Sequence, residues 1–227
     1  MPRALFEKEL QCYIFALYHT ILIPHEIKNL IFDLGGVIIN LDVSRTYRAF
    51  AGLANSSIKE VKAKVSEHSF FNEYEKGMLG DDDFRANIRT FLNSQVTDAQ
   101  IDAAWNAMLL DIPKEKYQML LKLKSSYQVF LLSNTNNIHL QSVNQTVFND
   151  TGRSGLGHYF HKDYYSHLMK MRKPDSEIFE HVLLENNLVA NETYFLDDNL
   201  ENIHGAKSVG LQTAHIVSPE MVLSLFA

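Results

Sequence analysis

Three short apolar runs, each closed by polar residues, limit what this chain can fold into. They are NLIF before Asp33, QVFLL before Ser133 and Asn134, and TYFL before Asp197 and Asp198. Unbroken apolar runs of this length suit strands buried on both faces, as in a parallel sheet. The stretches between them carry helical spacing. KEKYQMLLKLKSSY precedes the second run and IHLQSVNQTVF follows it, and Pro174 sits where a helix begins, with Ile178, Val182 and Leu183 inward. A short strand is expected near residues 164–166. A helix ended by Gly210 and a last strand, QTAHIV, complete the alternation. This predicts an α/β fold, a doubly wound parallel sheet covered on both faces.

Residues 44–112 differ in character. SSIKEVKAKVSEH puts Ile58, Val61 and Val65 on one helical face, and TDAQIDAAWNAMLL opens with a capping box of Thr97 and Gln100. The expectation is a small all-helical module at 44–112, inserted into an α/β core made of residues 27–43 and 113–227. Phe70, Phe71 and Trp105 read as core of that module, and Asp81–Asp83 as a helix start.

Composition excludes several classes. The 227 residues are 46% hydrophobic and 21% charged, with a net charge of −6, so no basic field argues for nucleic acid. The single cysteine, Cys12, permits no disulfide within the chain and fits a reducing, cytoplasmic setting. Residues 1–26 hold an apolar stretch from Cys12 to Ile23. It is too short to span a bilayer, and Glu7, Glu9 and His19 argue against a secretory signal. It reads as an amphipathic extension, and no membrane partner is expected. A monomer and a homodimer both remain open.

In an open α/β sheet, ligands gather at the carboxyl ends of the strands. Asp33, Ser133 with Asn134, and Asp197 with Asp198 all fall there, and Lys173 lies just before a helix. Clustered carboxylates repel one another. A hard divalent cation such as Mg2+ relieves this and keeps room for a phosphate in its shell. The lysine and the hydroxyl suit phosphate oxygens, and a carboxylate oxygen of Asp33 can attack phosphorus.

Four motifs, FDLGGV, LLSNTN, MRKP and FLDDNLENI, resemble in order and spacing those of the haloacid dehalogenase-like hydrolases, over roughly residues 28–217. The helical insert sits where that family carries its C1-type cap. The branch resembles the sugar-phosphate phosphatases, including α-D-glucose-1-phosphate phosphatase-like proteins. The resemblance implies Asp33 as nucleophile and metal ligand, and Gly35 as a carbonyl ligand to Mg2+. It implies phosphate binding by Ser133 and Asn134, and charge neutralisation by Lys173. Asp198 would ligate the metal with Asp197 beside it, and Asn202 would brace their loop. Glu75 and Lys76, in a cap loop, would face the substrate, a small phosphorylated metabolite such as a sugar phosphate.

One position departs from the family. Most of its phosphatases carry a second aspartate, the general acid and base, where this chain has Gly35. Three resolutions are open: Asp42 substitutes, water protonates a good leaving group, or the protein turns over slowly and mainly binds. Asp42 reads equally as a helix N-cap. A phosphomutase and a phospho-ligand-binding module are the rival functions. A carbon–halogen dehalogenase is disfavoured by the acid pair at 197 and 198.

Overall fold

The computed structural model describes residues 23–227; the expected N-terminal extension lies almost wholly outside them. The first element of the described residues is strand β1 (Asn29–Phe32), and a loop then leads into five helices. These are α1 (Val43–Ala54), α2 (Ile58–Glu67), α3 (Phe70–Glu75), α4 (Asp81–Leu92) and α5 (Asp98–Asn106). The alternation follows: α6 (Lys114–Leu123), β2 (Gln128–Ser133), α7 (Asn137–Thr151), β3 (Lys162–Tyr165), α8 (Ser166–Met169) and α9 (Ser176–Glu185). It closes with β4 (Thr193–Asp197), α10 (Leu200–Ser208), β5 (Gln212–His215) and α11 (Pro219–Leu225).

The strands form one parallel sheet in the order β3-β2-β1-β4-β5. The first strand is therefore central, and its four residues are all buried. Leu30 pairs with Val129 on one side and Tyr194 on the other. This register ends the three central strands at one rim, which puts Asp33, Ser133 and Asp197 side by side. One apolar cluster fills one sheet face, with Leu30, Phe32, Leu120, Val129 and Leu196. A second, with Ile31, Phe130, Phe179 and Phe195, fills the other. The alternation of Leu30 and Ile31 between faces follows from the two-residue period of a strand.

The run Val37–Ile39 joins no strand of the sheet. It folds back beside Gly35 through an isolated bridge from Gly35 to Ile39. The helices from Val43 to Asn106 enclose their own apolar core, with Phe50, Phe71, Phe84, Phe91 and Trp105 in mutual ring contact. Capping boxes at Ser57/Glu60 and Thr97/Gln100 start α2 and α5. Asp81 begins α4 and also accepts hydrogen bonds from Tyr74 (2.7 Å) and Asn137 (2.7 Å), tying the insert to α7.

Candidate active site

Lys173 is the hub of the rim. Its ammonium donates to Asp33 Oδ1 at 2.6 Å, Asp197 Oδ2 at 2.7 Å and the Leu132 carbonyl at 2.8 Å. Those three bonds use all its protons, and its side chain is 1% exposed. Burial pulls its pKa down, but the facing carboxylates of Asp197 and Asp33 outweigh it and hold the ammonium charged. The Asn134 side chain fixes the loop that carries the lysine. Its Nδ2 donates to the Lys173 carbonyl at 2.8 Å, and its Oδ1 accepts from the Lys173 N–H at 2.9 Å. Asn134 thus spends its side chain on Lys173, a supporting part beside the phosphate-binding role expected from sequence.

Asp33, Asp197 and Asp198 each offer an oxygen within 4.8 Å of the others. Three carboxylates against one ammonium leave an excess of negative charge, and these oxygen donors suit a hard dication. The crowding marks their acidity. Burial pushes the Asp33 carboxyl up against the pull of Lys173, and burial also raises Asp198, with Asp197 adding to it. Asp197 is itself saturated. Its two oxygens accept from Lys173, from the Asn199 N–H and twice from Asn202 Nδ2 at 3.0 Å. A carboxylate has about four acceptor sites. Asp197 therefore suits an orienting role, and Asp33 and Asp198 are the acids with oxygens to spare for a metal. Asn202 braces the loop, one turn into α10.

The two glycines answer to different neighbours. Gly36 has φ +67°, and a Cβ there would overlap the carboxylate of Asp198. Gly35 has an ordinary φ, but a Cβ would come within 2.6 Å of Leu41 Cδ1. An aliphatic side chain thus stands over the position where the family's second aspartate would be.

Asp42 does not fill that gap. It is the N-cap of α1, accepts from Ser44 N–H at 3.0 Å, and pairs with Arg48 at 3.1 Å. These bonds hold its carboxyl below the usual range, so it carries no proton at neutral pH. The reading of Asp42 as general acid gives way to that of helix cap. Glu75 and Lys76 separate as well. Glu75 lines the cavity between insert and sheet and pairs with Arg172 at 3.0 Å, while Lys76 turns to Asp175 at 3.1 Å. Burial pushes the Glu75 carboxyl up. Ser133 is buried and lines the same cavity, as do Gly35 and Asn134.

Arg172 and Leu41 escaped the sequence reading. Arg172 adjoins Lys173 in MRKP, and that adjacency was the available signal; Leu41 carried none, because only the fold returns it to Gly35.

Among the described residues no helix is long and apolar enough to cross a membrane. A buried lysine among three carboxylates at the carboxyl ends of a parallel sheet is an arrangement suited to a metal ion and an anionic substrate. The chain belongs to the haloacid dehalogenase-like hydrolases, whose family pattern matches residues 27–210. It is 32% identical to a D-ribitol-5-phosphate phosphatase of Bacteroides thetaiotaomicron over 187 residues, 82% of this chain and 90% of that one. A 53-residue stretch, 23% of this chain and 27% of the other, is 47% identical to the sesquiterpene phosphatase astK of Aspergillus oryzae. Among solved structures, a family enzyme from Bacteroides thetaiotaomicron in complex with magnesium and inorganic phosphate superposes with a TM-score of 0.76. It is 41% identical, over 83% of this chain and 93% of that one.

Proposed function

We propose that this protein is a Mg2+-dependent phosphomonoester hydrolase that works through an aspartyl-phosphate on Asp33. The carrying observation is the Lys173 clamp, which holds the Asp33 carboxylate buried and paired at the strand end while Asp198 stands free beside it. The similar enzyme solved with magnesium and phosphate supports the same pairing of ligands here. Asp33 and Asp198, with the Gly35 carbonyl, would hold Mg2+, which supplies a Lewis acid that offsets charge between the carboxylate and the phosphate.

The chain's own groups define the steps. Ser133 holds a phosphate oxygen, and the charge of Lys173, whose protons stay on its protein partners, offsets that of the phosphate. The free carboxylate oxygen of Asp33 attacks phosphorus in line, an oxygen–phosphorus bond forms, and the bond to the leaving oxygen breaks. The proton this oxygen needs is assigned to Glu75, the one carboxyl among the described residues that lines the cavity, which burial pushes up against the pull of Arg172. Water then hydrolyses the aspartyl-phosphate and frees Asp33. The helical insert shields the acyl phosphate from bulk water between the steps.

The relatives are named for different alcohols, a polyol in one case and a sesquiterpene in another; a phosphate bond is their common element. A small phosphorylated metabolite is the substrate class this supports. The test is phosphate release from a panel of phosphomonoesters with Mg2+ and with EDTA, beside Asp33→Asn. Mg2+-dependent release that disappears in the variant is expected. Folded protein that binds Mg2+ but releases no phosphate from any ester would replace this reading with a phospho-ligand-binding module.

A further inference from the structure

We propose that the leaving group this site accepts is largely hydrocarbon: the substrate is the phosphomonoester of an apolar alcohol rather than of a sugar or polyol. The inference rests on the phosphatase reading above and concerns what lies beyond the phosphate.

Ser133, Asn134 and Gly35, which adjoin the acid cluster at the strand ends, are among the residues lining a cavity of about 330 Å³, and this cavity offers the place for whatever is esterified to the phosphate. That volume lies at the small end of ligand pockets. Leu41, Val43, Phe50, Val65, Met108 and Leu109 are among the side chains forming its wall, drawn from both the β1 loop and the helical insert. Leu41 matters most, because it covers Gly35 next to the reacting centre.

The polar groups on the wall are mostly engaged already. The Thr46 hydroxyl donates to the Trp105 carbonyl at 2.9 Å, and His139 Nε2 lies 3.1 Å from the same oxygen. The other ring nitrogen of His139 meets Asn136 at 3.2 Å. Asn134 is spent on Lys173, and Glu75 on Arg172. Few groups besides the Tyr47, Thr135 and Ser133 hydroxyls remain to meet a guest. A polyol carries a hydroxyl on nearly every carbon, and each one buried without a partner loses its bond to water. A hydrocarbon chain makes no such demand and gains from each buried methylene.

The experiment is a kcat/KM series on the full chain with Mg2+. It uses straight-chain alkyl phosphates from butyl to decyl, D-ribitol 5-phosphate and D-glucose 1-phosphate. The alkyl esters share one leaving-group acidity, so their trend reports contact alone. The expected result is a rise of about four-fold per methylene until the cavity is full. The best alkyl ester should exceed ribitol 5-phosphate at least ten-fold, and Met108→Asn and Leu109→Asn should flatten the series while leaving the fold intact by circular dichroism. A flat alkyl series with ribitol or glucose phosphate preferred would overturn the inference and leave the phosphatase reading standing. No Mg2+-dependent release from any ester would instead remove both.

Discussion

Gly36 shows how closely single atoms govern this site. Its positive φ suits glycine, and the missing side chain makes room for the carboxylate of Asp198. Gly36→Ala therefore costs about 1–2 kcal/mol from the left-handed backbone, and pushes Asp198 away from Asp33. Isothermal titration should show Mg2+ affinity at least ten-fold weaker in this variant; unchanged affinity would mean that Asp198 is not held by this contact. Gly35 yields a paired prediction. Gly35→Asp alone forces its Cβ against Leu41, an overpacking that costs about 1–3 kcal/mol. Trimming the obstacle in Gly35→Asp/Leu41→Ala should recover melting temperature. If the double variant melts no higher than the single one, Leu41 is not what excludes the aspartate. The glycine pair was legible in the sequence as a close approach of backbone to something, but its two partners were not. Asp198 lies just past strand β4, and Leu41 returns to Gly35 only through the turn at residues 36–38.

At the scale of elements, the strands were the legible part, because burial on both faces leaves unbroken apolar runs in the sequence. Their polar ends gave Asp33, Ser133, Asp197 and Asp198, and the register of β1 between β2 and β4 aligns them. The helices were legible through caps such as Thr97 with Gln100. What strand polarity cannot give is which oxygens remain free, and the saturation of Asp197 by Asn199 and Asn202 is a matter of loop geometry. Asp42 illustrates the same limit. Its place after an apolar run fits both an acid and an N-cap, and only the position of Ser44 and Arg48 decides between them. Helix α3 delivers the alternative at its last residue, Glu75. The proton-donor role proposed for it predicts a selective defect in Glu75→Gln. Turnover of alkyl phosphates, whose leaving alkoxides need a proton, should fall about 10²–10⁴-fold. p-Nitrophenyl phosphate, whose leaving group departs unaided, should lose little. Equal losses on both would assign Glu75 to substrate positioning instead.

At the scale of the whole molecule, the reactive loop is held from behind by a second buried lysine. Lys116, on α6, is fully buried and donates to the Val37 carbonyl in the loop that follows Gly36. Burial lowers its pKa to about 8, with Glu220 and Asp111 opposing the shift only in part. The sign of the pH effect follows from proton counts. An unfolded lysine titrates near 10.4, so between about pH 8 and pH 10 the unfolded chain binds the extra proton, and stability rises with pH through that window. Below pH 8 both states are protonated and the full cost of burying the charge is present. Lys116→Met removes that cost, along with the hydrogen bond to Val37. The two changes oppose each other at pH 7, so the informative quantity is the difference between wild type and variant as pH changes. Urea unfolding of both proteins at pH 7 and pH 10 should show that difference moving by about 1–3 kcal/mol in favour of the wild type. A difference that stays constant across the range would mean that Lys116 reaches water in the folded protein, and that the loop carrying Asp33 is supported by its packing alone.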